Sequence, residues 1–315
     1  MSSSLLDETV GPPSHAAAQR LRTMMAAMRL SFTWFGTRKT LTQEQKSQAA
    51  DTFGAEGDFL IAGKKLVDTK HPAFRAVTTV RNRAIAYSKG VSLPYPEPGI
   101  RLVKQDEVEK INAQMSEFRD ELEEAVEGLD RRYSELKAAA RQRLGSLYSE
   151  QDYPASLREL FAMVWDFPSV DAPSYLAQLN PQLFEEECRR VQSRFDKAVR
   201  LAEDAFTAEL AKLVSHLTER LSGQEDGKPK VFRDSAVENL TEFFPRFRNL
   251  NVRSSEQLDR LVTDAQRVIR GVEPQALRDN TGLRQQVVTE RSRVQSVLDG
   301  LLVDRPRRNI LRRPR

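Results

Sequence analysis

The sequence predicts a mainly α-helical protein whose two longest helices pair as a long antiparallel coiled-coil hairpin. Three observations support this prediction. Two segments of about 40 residues carry apolar side chains at helical spacing. A proline-containing connector separates the two segments, and aromatic residues make up only 7% of the chain, too few for a large β core. We expect a small N-terminal α(+β) head before the hairpin and a C-terminal helical segment after it.

These patterns divide the 315 residues into five consecutive segments. They are a disordered leader (1–14), the head (15–104), the hairpin (105–223) with its connector (149–180), a group of C-terminal helices (224–303) and an arginine-rich tail (304–315).

The head contains the best strand candidate, residues 30–35, in which apolar and polar side chains alternate. Residues 100–103 are the partner that we expect for it, although the sequence does not decide whether the pair forms. Helices are predicted at residues 42–52 and 73–89, and the Ala- and Met-rich residues 15–28 are a candidate for a further short helix. Gly90 is placed to end the helix at residues 73–89.

The segment that joins the head to the hairpin is a candidate for partner docking. Residues 93–99 contain three prolines within five positions, which excludes helix and inner strand and favours an extended, rigid conformation. Such a strip can bind a partner protein through Pro94, Tyr95, Pro96 and Pro98. The alternative, which the composition favours, is a stiff connection that binds nothing.

The first long helix gives the strongest pattern, over residues 105–148. Its apolar positions recur every ~3.55 residues on average, a period between that of the ideal helix and that of a coiled-coil heptad. They are Val108, Ile111, Met115, Phe118, Leu122, Val126, Leu129, Tyr133, Leu136, Ala140, Leu144 and Leu147.

The second long helix begins at Pro181, after an N-cap at Asn180, and Gly223 ends it. Its apolar positions are Phe184, Cys188, Val191, Phe195, Ala198, Ala202, Phe206, Leu210, Leu213, Leu217 and Leu221. Because two helices of matched length joined by a compact connector fold back on each other most simply, we predict the hairpin. A short helix at residues 157–165 is predicted in the connector.

Three further helices are predicted, at residues 231–250, 254–269 and 283–302. Pro245 should kink or split the first of them. The tail that follows contains six arginines, Arg305, Arg307, Arg308, Arg312, Arg313 and Arg315. Residues 301–315 contain a single acid, so the tail can bind nucleic-acid phosphates or an acidic protein surface, or merely keep the chain in solution.

The sequence lacks the motifs of phosphate-binding loops, dinucleotide-binding folds and serine hydrolases. The only histidines, His15, His71 and His216, have no ligand spacing, and the only cysteine, Cys188, lies at an apolar helical position. We therefore expect no metal, no cofactor, no evident small-molecule substrate and no enzymatic activity. An unrecognised active site near Lys64, Lys65, Asp68 and His71 is the least favoured alternative.

The N-terminus has no basic segment followed by an apolar one, which argues against a signal peptide. Uninterrupted apolar stretches stay below the length of roughly 18 residues that a membrane span needs. The sequence therefore predicts a cytoplasmic protein without membrane contact.

Three stretches resemble an uncharacterised family of bacterial and phage proteins. They are Asp68-Thr-Lys-His-Pro-Ala-Phe-Arg75, Gly90-Val-Ser-Leu-Pro-Tyr-Pro-Glu-Pro-Gly-Ile-Arg-Leu-Val103 and Asp226-Gly-Lys-Pro-Lys-Val-Phe-Arg-Asp-Ser-Ala-Val-Glu-Asn-Leu240. The resemblance spans residues 30–270 in outline. Genes of this family often lie near MoxR-type AAA+ ATPases and von Willebrand A-type proteins. The family has no established activity, so the resemblance assigns no residue a role, but it implies an AAA+ ATPase as partner.

The function that we expect is a non-enzymatic scaffold or adaptor. It would act through coiled-coil contacts, with a second copy of itself or with an AAA+ ATPase. The alternative is a nucleic-acid-binding accessory protein that uses the arginine-rich tail.

Overall fold

The computed structural model describes residues 15–222, 224–225, 228–229, 235–270 and 298. The helices and strands, in chain order, are α1 (His15–Met24), β1 (Met25–Thr33), β2 (Arg38–Thr40), α2 (Gln43–Asp51), β3 (Gly63–Lys65), α3 (Pro72–Gly90), β4 (Ser92–Pro94), β5 (Ile100–Lys104), α4 (Val108–Arg131), α5 (Tyr133–Leu144), β6 (Ala162–Asp166), α6 (Tyr175–Leu179), α7 (Pro181–Ser222), β7 (Gln224–Glu225), β8 (Lys228–Pro229), α8 (Ser235–Leu250) and α9 (Glu256–Ile269).

The chain forms two compact units, and each is assembled from stretches that are far apart in the sequence. Unit 1 consists of the described parts of Met1–Ala27, Val91–Gln105 and Ser169–Arg315, and unit 2 consists of Met28–Gly90 and Asp106–Pro168. The predicted segments, in contrast, were consecutive. The leader, the last predicted helix and the arginine-rich tail lie outside the described residues, apart from Leu298.

Unit 1 is built around α7, a helix of 42 residues. Its start is as predicted, because the Asn180 side chain accepts a hydrogen bond from the Leu183 amide at 3.0 Å. From Val191 to Leu217 its apolar stripe is buried, apart from the half-buried Leu213, and α1, α8 and α9 pack against the helix. Cys188, one turn earlier, is only half-buried.

An aromatic cluster joins α7 to α8. The Phe206 ring of α7 contacts the Phe247 ring at a centroid distance of 5.0 Å and the Phe243 ring at 6.1 Å, both edge to face. Pro245 lies inside α8, which nevertheless runs as one helix and is not split. α9 begins as predicted, since the Ser255 hydroxyl accepts a hydrogen bond from the Leu258 amide at 3.3 Å.

Unit 2 combines α3 and α4 with strands. α3 and α4 pack together along the apolar positions that the sequence predicts, with Val77, Met115 and Leu122 all buried. β6 pairs antiparallel with β1, and α4 packs against β6. β2 and β3 form a separate antiparallel pair.

The predicted fold class is wrong. The first long helix is divided at Arg132 (φ −97°, ψ 1°) into α4 and α5 and belongs to unit 2, whereas α7 belongs to unit 1. Each apolar stripe is covered by elements of its own unit, so the two helices do not form the hairpin. The structure has mixed α and β elements, with a four-stranded sheet of order β4-β5-β1-β6 besides the helices.

The strand predictions were partly correct. Residues 30–33 lie in β1, and the expected partner segment is β5, which neighbours β1 in the strand order. The short helix predicted at residues 157–165 is wrong. A single 3-10 turn at Arg158–Leu160 is followed by β6, whose Trp165 lies opposite Leu30 of β1.

No helix among the described residues is both long enough and apolar enough to span a membrane.

Two buried tyrosines of unit 2 make opposite predictions for stability. The Tyr153 hydroxyl donates to the Leu66 carbonyl at 2.9 Å, whereas the Tyr133 hydroxyl has no hydrogen-bond partner among the described residues. We expect Tyr153→Phe to lower the free energy of unfolding by about 1 kcal/mol, because it leaves a buried carbonyl unpaired. Tyr133→Phe should leave it unchanged or raise it, because a desolvated hydroxyl is removed. Urea denaturation of both variants measures the difference, and an equal loss in both would contradict it.

Candidate docking surface

The six tail arginines proposed to bind phosphates or an acidic partner, at positions 305, 307, 308, 312, 313 and 315, lie outside the described residues. Their role stays a prediction.

The proline-containing strip forms a β-hairpin. Pro94 ends β4, and the chain turns through Gly99, at φ +79°, into β5. The Tyr95 ring is buried against the Phe195 ring at 5.6 Å, and this burial raises the pKa of Tyr95 to about 12. Tyr95 therefore contributes to the core of unit 1. Docking through the prolines stays a prediction, and Pro94 and Pro96 are half-buried whereas Pro98 is exposed.

Three of the four residues considered for an unrecognised active site, Lys64, Asp68 and His71, have structural partners in unit 2, whereas Lys65 is exposed. Asp68 accepts a hydrogen bond from Arg143 at 2.9 Å. The His71 Nδ1 accepts one from the Ala73 amide at 3.3 Å and so caps the start of α3.

Lys64 is buried in a network of charges. Its Nζ lies 2.6 Å from one carboxylate oxygen of Asp152 and donates to the Leu147 carbonyl at 2.5 Å. The other oxygen of Asp152 accepts from Lys39 at 2.5 Å. Donation by Lys39, and then by Lys64, holds the pKa of the buried Asp152 carboxyl below its usual range. The network fixes β2 and β3 to the segment after α5, which is a structural role.

A shallow groove of about 670 Å³ lies between α3 and α4. Small residues, among them Ala76, Ala125 and Gly128, line part of it. Charged side chains occupy its rim, where Arg83 binds Glu121 at 2.5 Å. Among the described residues, no three His, Cys, Asp or Glu side chains are arranged to hold a metal ion.

The most unusual surface of unit 2 is the segment between α2 and β3, residues 52–61, which we call the apolar loop. It exposes three large apolar side chains within nine residues: Phe53 at 81%, Phe59 at 86% and Ile61 at 97%. Single exposed apolar residues are ordinary, but a group of them usually marks an interaction site. The loop also contains two acids, Glu56 and Asp58, and no basic residue.

Hydrogen bonds hold both ends of the apolar loop. At its start, the amides of Phe53 and Ala55 donate to the Ala50 carbonyl at 2.9 and 3.0 Å. Near its end, the amide of Phe59 donates to the Glu56 carbonyl at 3.1 Å. The amide of Leu41, just after β2, donates to the Ala62 carbonyl at 3.1 Å.

The loop also packs closely on α2. The Gln43 side chain of α2 donates to Asp58. A Cβ on Gly57 would lie 2.9 Å from the Ser47 hydroxyl oxygen, so a larger residue would not fit without movement. α2 is itself fixed by a capping box, in which Thr42 and Gln45 bond each other's amides at 3.3 and 3.1 Å. The exposed side chains therefore project from an ordered backbone.

A second exposed apolar group lies in unit 1, on α6, where Tyr175 is 61% and Leu179 is 77% exposed. It provides a comparison for the apolar loop because its side chains are similar in size and exposure.

Comparisons with protein-family models, with curated proteins and with solved structures returned no match to this chain.

The apolar loop was not predicted as a site from the sequence. The segment does contain a signal, since Gly54 and Gly57 follow the end of a predicted helix and argue against a regular element that would bury Phe53, Phe59 and Ile61. Such side chains can equally be buried beneath a loop, and only the fold places them at the surface.

The charge network predicts a pH-dependent stability. Asp152→Asn leaves Lys64 buried without a counter-charge, and we expect it to lower the free energy of unfolding by on the order of 3 kcal/mol at neutral pH. The pKa of Asp152 is lower in the folded state than in the unfolded state. The extra free energy of unfolding of wild type over Asp152→Asn is therefore complete above the unfolded pKa of about 3.9, and it is lost as the pH falls through the folded pKa.

Urea denaturation at pH values on both sides of about 4 measures this. Lys39→Met is the control, because the Lys39 ammonium is more than half exposed and its loss should cost under about 1 kcal/mol. A difference between Asp152→Asn and wild type that does not change with pH would rule out the network as its source.

Proposed function

We propose that the protein is a non-enzymatic adaptor that binds a partner protein through the apolar loop. The observation that carries this proposal is the exposure of Phe53, Phe59 and Ile61. Phenylalanine is enriched in the centres of protein interfaces, where a few large side chains contribute most of the binding free energy.

The order of the loop backbone supports the same proposal. A flexible loop must lose conformational entropy when it binds, which opposes association. The hydrogen bonds from Phe53, Ala55 and Phe59, together with the close contact of Gly57 with Ser47, fix the loop before it meets a partner. Less of the free energy gained by burying the apolar side chains is then lost to the entropy cost of ordering the loop.

The composition of the loop indicates the chemistry of the partner. Three large apolar side chains require an apolar pocket, and the two acids Glu56 and Asp58 favour basic residues around its rim. The resemblance in residues 68–75, 90–103 and 226–240 implies the partner class, an AAA+ ATPase. Coiled-coil contacts play no part in this proposal.

A pull-down from native lysate, after nuclease treatment, tests the proposal. The full chain carrying Phe59→Ser and Ile61→Ser should recover the AAA+ ATPase at least about tenfold less well than wild type, because two central contacts are lost. The matched control carries Tyr175→Ser and Leu179→Ser, which remove exposed apolar surface from α6 instead.

Recovery should be unchanged in this control. Equal recovery by all three proteins, or no AAA+ ATPase with wild type, would contradict the proposal. Gly57→Ala refines the test, because it keeps every apolar side chain but forces the loop away from Ser47, and we expect an intermediate loss.

A second candidate function, nucleic-acid binding, rests on the six arginines of the tail. Arginines bind phosphate groups, so affinity should fall steeply with salt concentration. We expect a chain that ends at residue 304 to lose most of its affinity for duplex DNA and for RNA. Fluorescence anisotropy at two salt concentrations measures this, and binding that survives the truncation would exclude the tail as its source.

A further inference from the structure

Strand β6 lies at one end of the four-stranded sheet and pairs with β1 on one side only. We propose that its other side binds β6 of a second copy of this chain, in antiparallel orientation about a two-fold axis at Val164. The sheets of the two copies would then be continuous through unit 2. This inference does not depend on the apolar loop or on its partner.

The outer side of β6 is unprotected. Edge strands of monomeric proteins usually carry lysines, prolines or bulges that prevent pairing with other chains. β6 reads Ala-Met-Val-Trp-Asp and contains none of these. Its one charge, Asp166, is neutralised by Arg29, which donates to it at 2.5 and 3.0 Å. Among the described residues, no backbone or side-chain hydrogen bond covers the outer side.

The sequence of β6 is also complementary to itself. About a two-fold axis, if one residue of the first copy faces a second residue in the other copy, then the second residue of the first copy faces the first residue of the other. With the axis at Val164, Met163 faces Trp165 of the second copy, and Ala162 faces Asp166 of the second copy. No like charges meet, and the two valines face each other.

Both faces of the sheet fit this arrangement. On the open face, Val164 is 62% exposed although it is β-branched and apolar, and a second valine would cover it. On the face that α4 covers, Met163 and Trp165 would continue the apolar row across the axis. Phe167 follows β6, two residues after Trp165, and is also exposed.

The side chain of Trp165 is already held in place. Its Nε1 donates to the Asn112 side chain of α4 at 2.8 Å, and the Arg119 guanidinium lies over its ring at 5.6 Å. Little further ordering is needed for pairing. Because a strand of five residues buries little area, the dimer should be weak, with a dissociation constant of about 1–100 μM.

Sedimentation equilibrium of the full chain from about 1 to about 100 μM tests the proposal. The average mass should rise from one chain toward two. Val164→Lys should weaken the dimer at least about tenfold, because the two new ammonium groups would face each other at the axis. Ser31→Lys is the matched control: Ser31 is the β1 partner of Val164 on the same open face, one strand away from the edge.

The symmetry predicts a specific cross-link. Directly opposed residues of an antiparallel pair have Cα atoms about 4.5–5.5 Å apart, which a disulfide can bridge. In a Cys188→Ser background, Val164→Cys should therefore form a disulfide-linked dimer under mild oxidation, whereas Ser31→Cys should not.

Three results would overturn the proposal. They are a chain that stays monomeric over the whole concentration range, a dimer that Val164→Lys weakens no more than Ser31→Lys does, and a Val164→Cys variant that does not cross-link. A strand from a different protein at this edge would give the first result. The Phe59→Ser, Ile61→Ser variant should still dimerise, which separates this inference from the adaptor proposal.

Discussion

Both long helices carry an apolar stripe that has to be covered, and the rest of the fold follows from what covers each stripe. Helical propensity contributes only part of the stability of α7, because helices in proteins gain most of their stability from packing an apolar face. α1, α8 and α9 supply that packing, with Phe243 and Phe247 of α8 against Phe206 of α7. α4 has the same requirement and meets it in unit 2, through α3 on one side and β6 on another.

This explains which parts of the fold could be predicted from the sequence. The positions of α3, α7 and α9 follow from the spacing of their apolar residues and from local caps such as Asn180 and Ser255, because both are properties of neighbouring residues. The element that packs against each helix cannot be predicted in the same way. A stripe of Val, Leu and Phe fits any apolar surface of the right length, so the spacing alone gave no reason to prefer α3 over α7 as the partner of α4. The simplest connection, a hairpin, was the wrong choice.

β6 shows the same limit on a smaller scale. A short apolar run is compatible with a buried turn of helix and with a strand, and five residues are too few for their periodicity to decide. Its pairing with β1 spans well over a hundred residues of sequence, from Leu30 to Trp165, and no local pattern encodes such a contact. The candidate site was missed for a related reason, since the exposure of Phe59 and Ile61 depends on α2 holding the loop outward.

The buried charges and the exposed apolar side chains of unit 2 can be understood together. Burying Lys64 costs free energy unless it is paired, and Asp152 with Lys39 and the Leu147 carbonyl offsets that cost. The network holds the β2–β3 pair, and the apolar loop lies between these two strands in the chain. The desolvated ion pair thus contributes to fixing the base of a loop whose own side chains gain nothing from the fold. The exposed Phe and Ile side chains of this loop do not improve the stability of the free chain. A partner that buries them explains their exposure better.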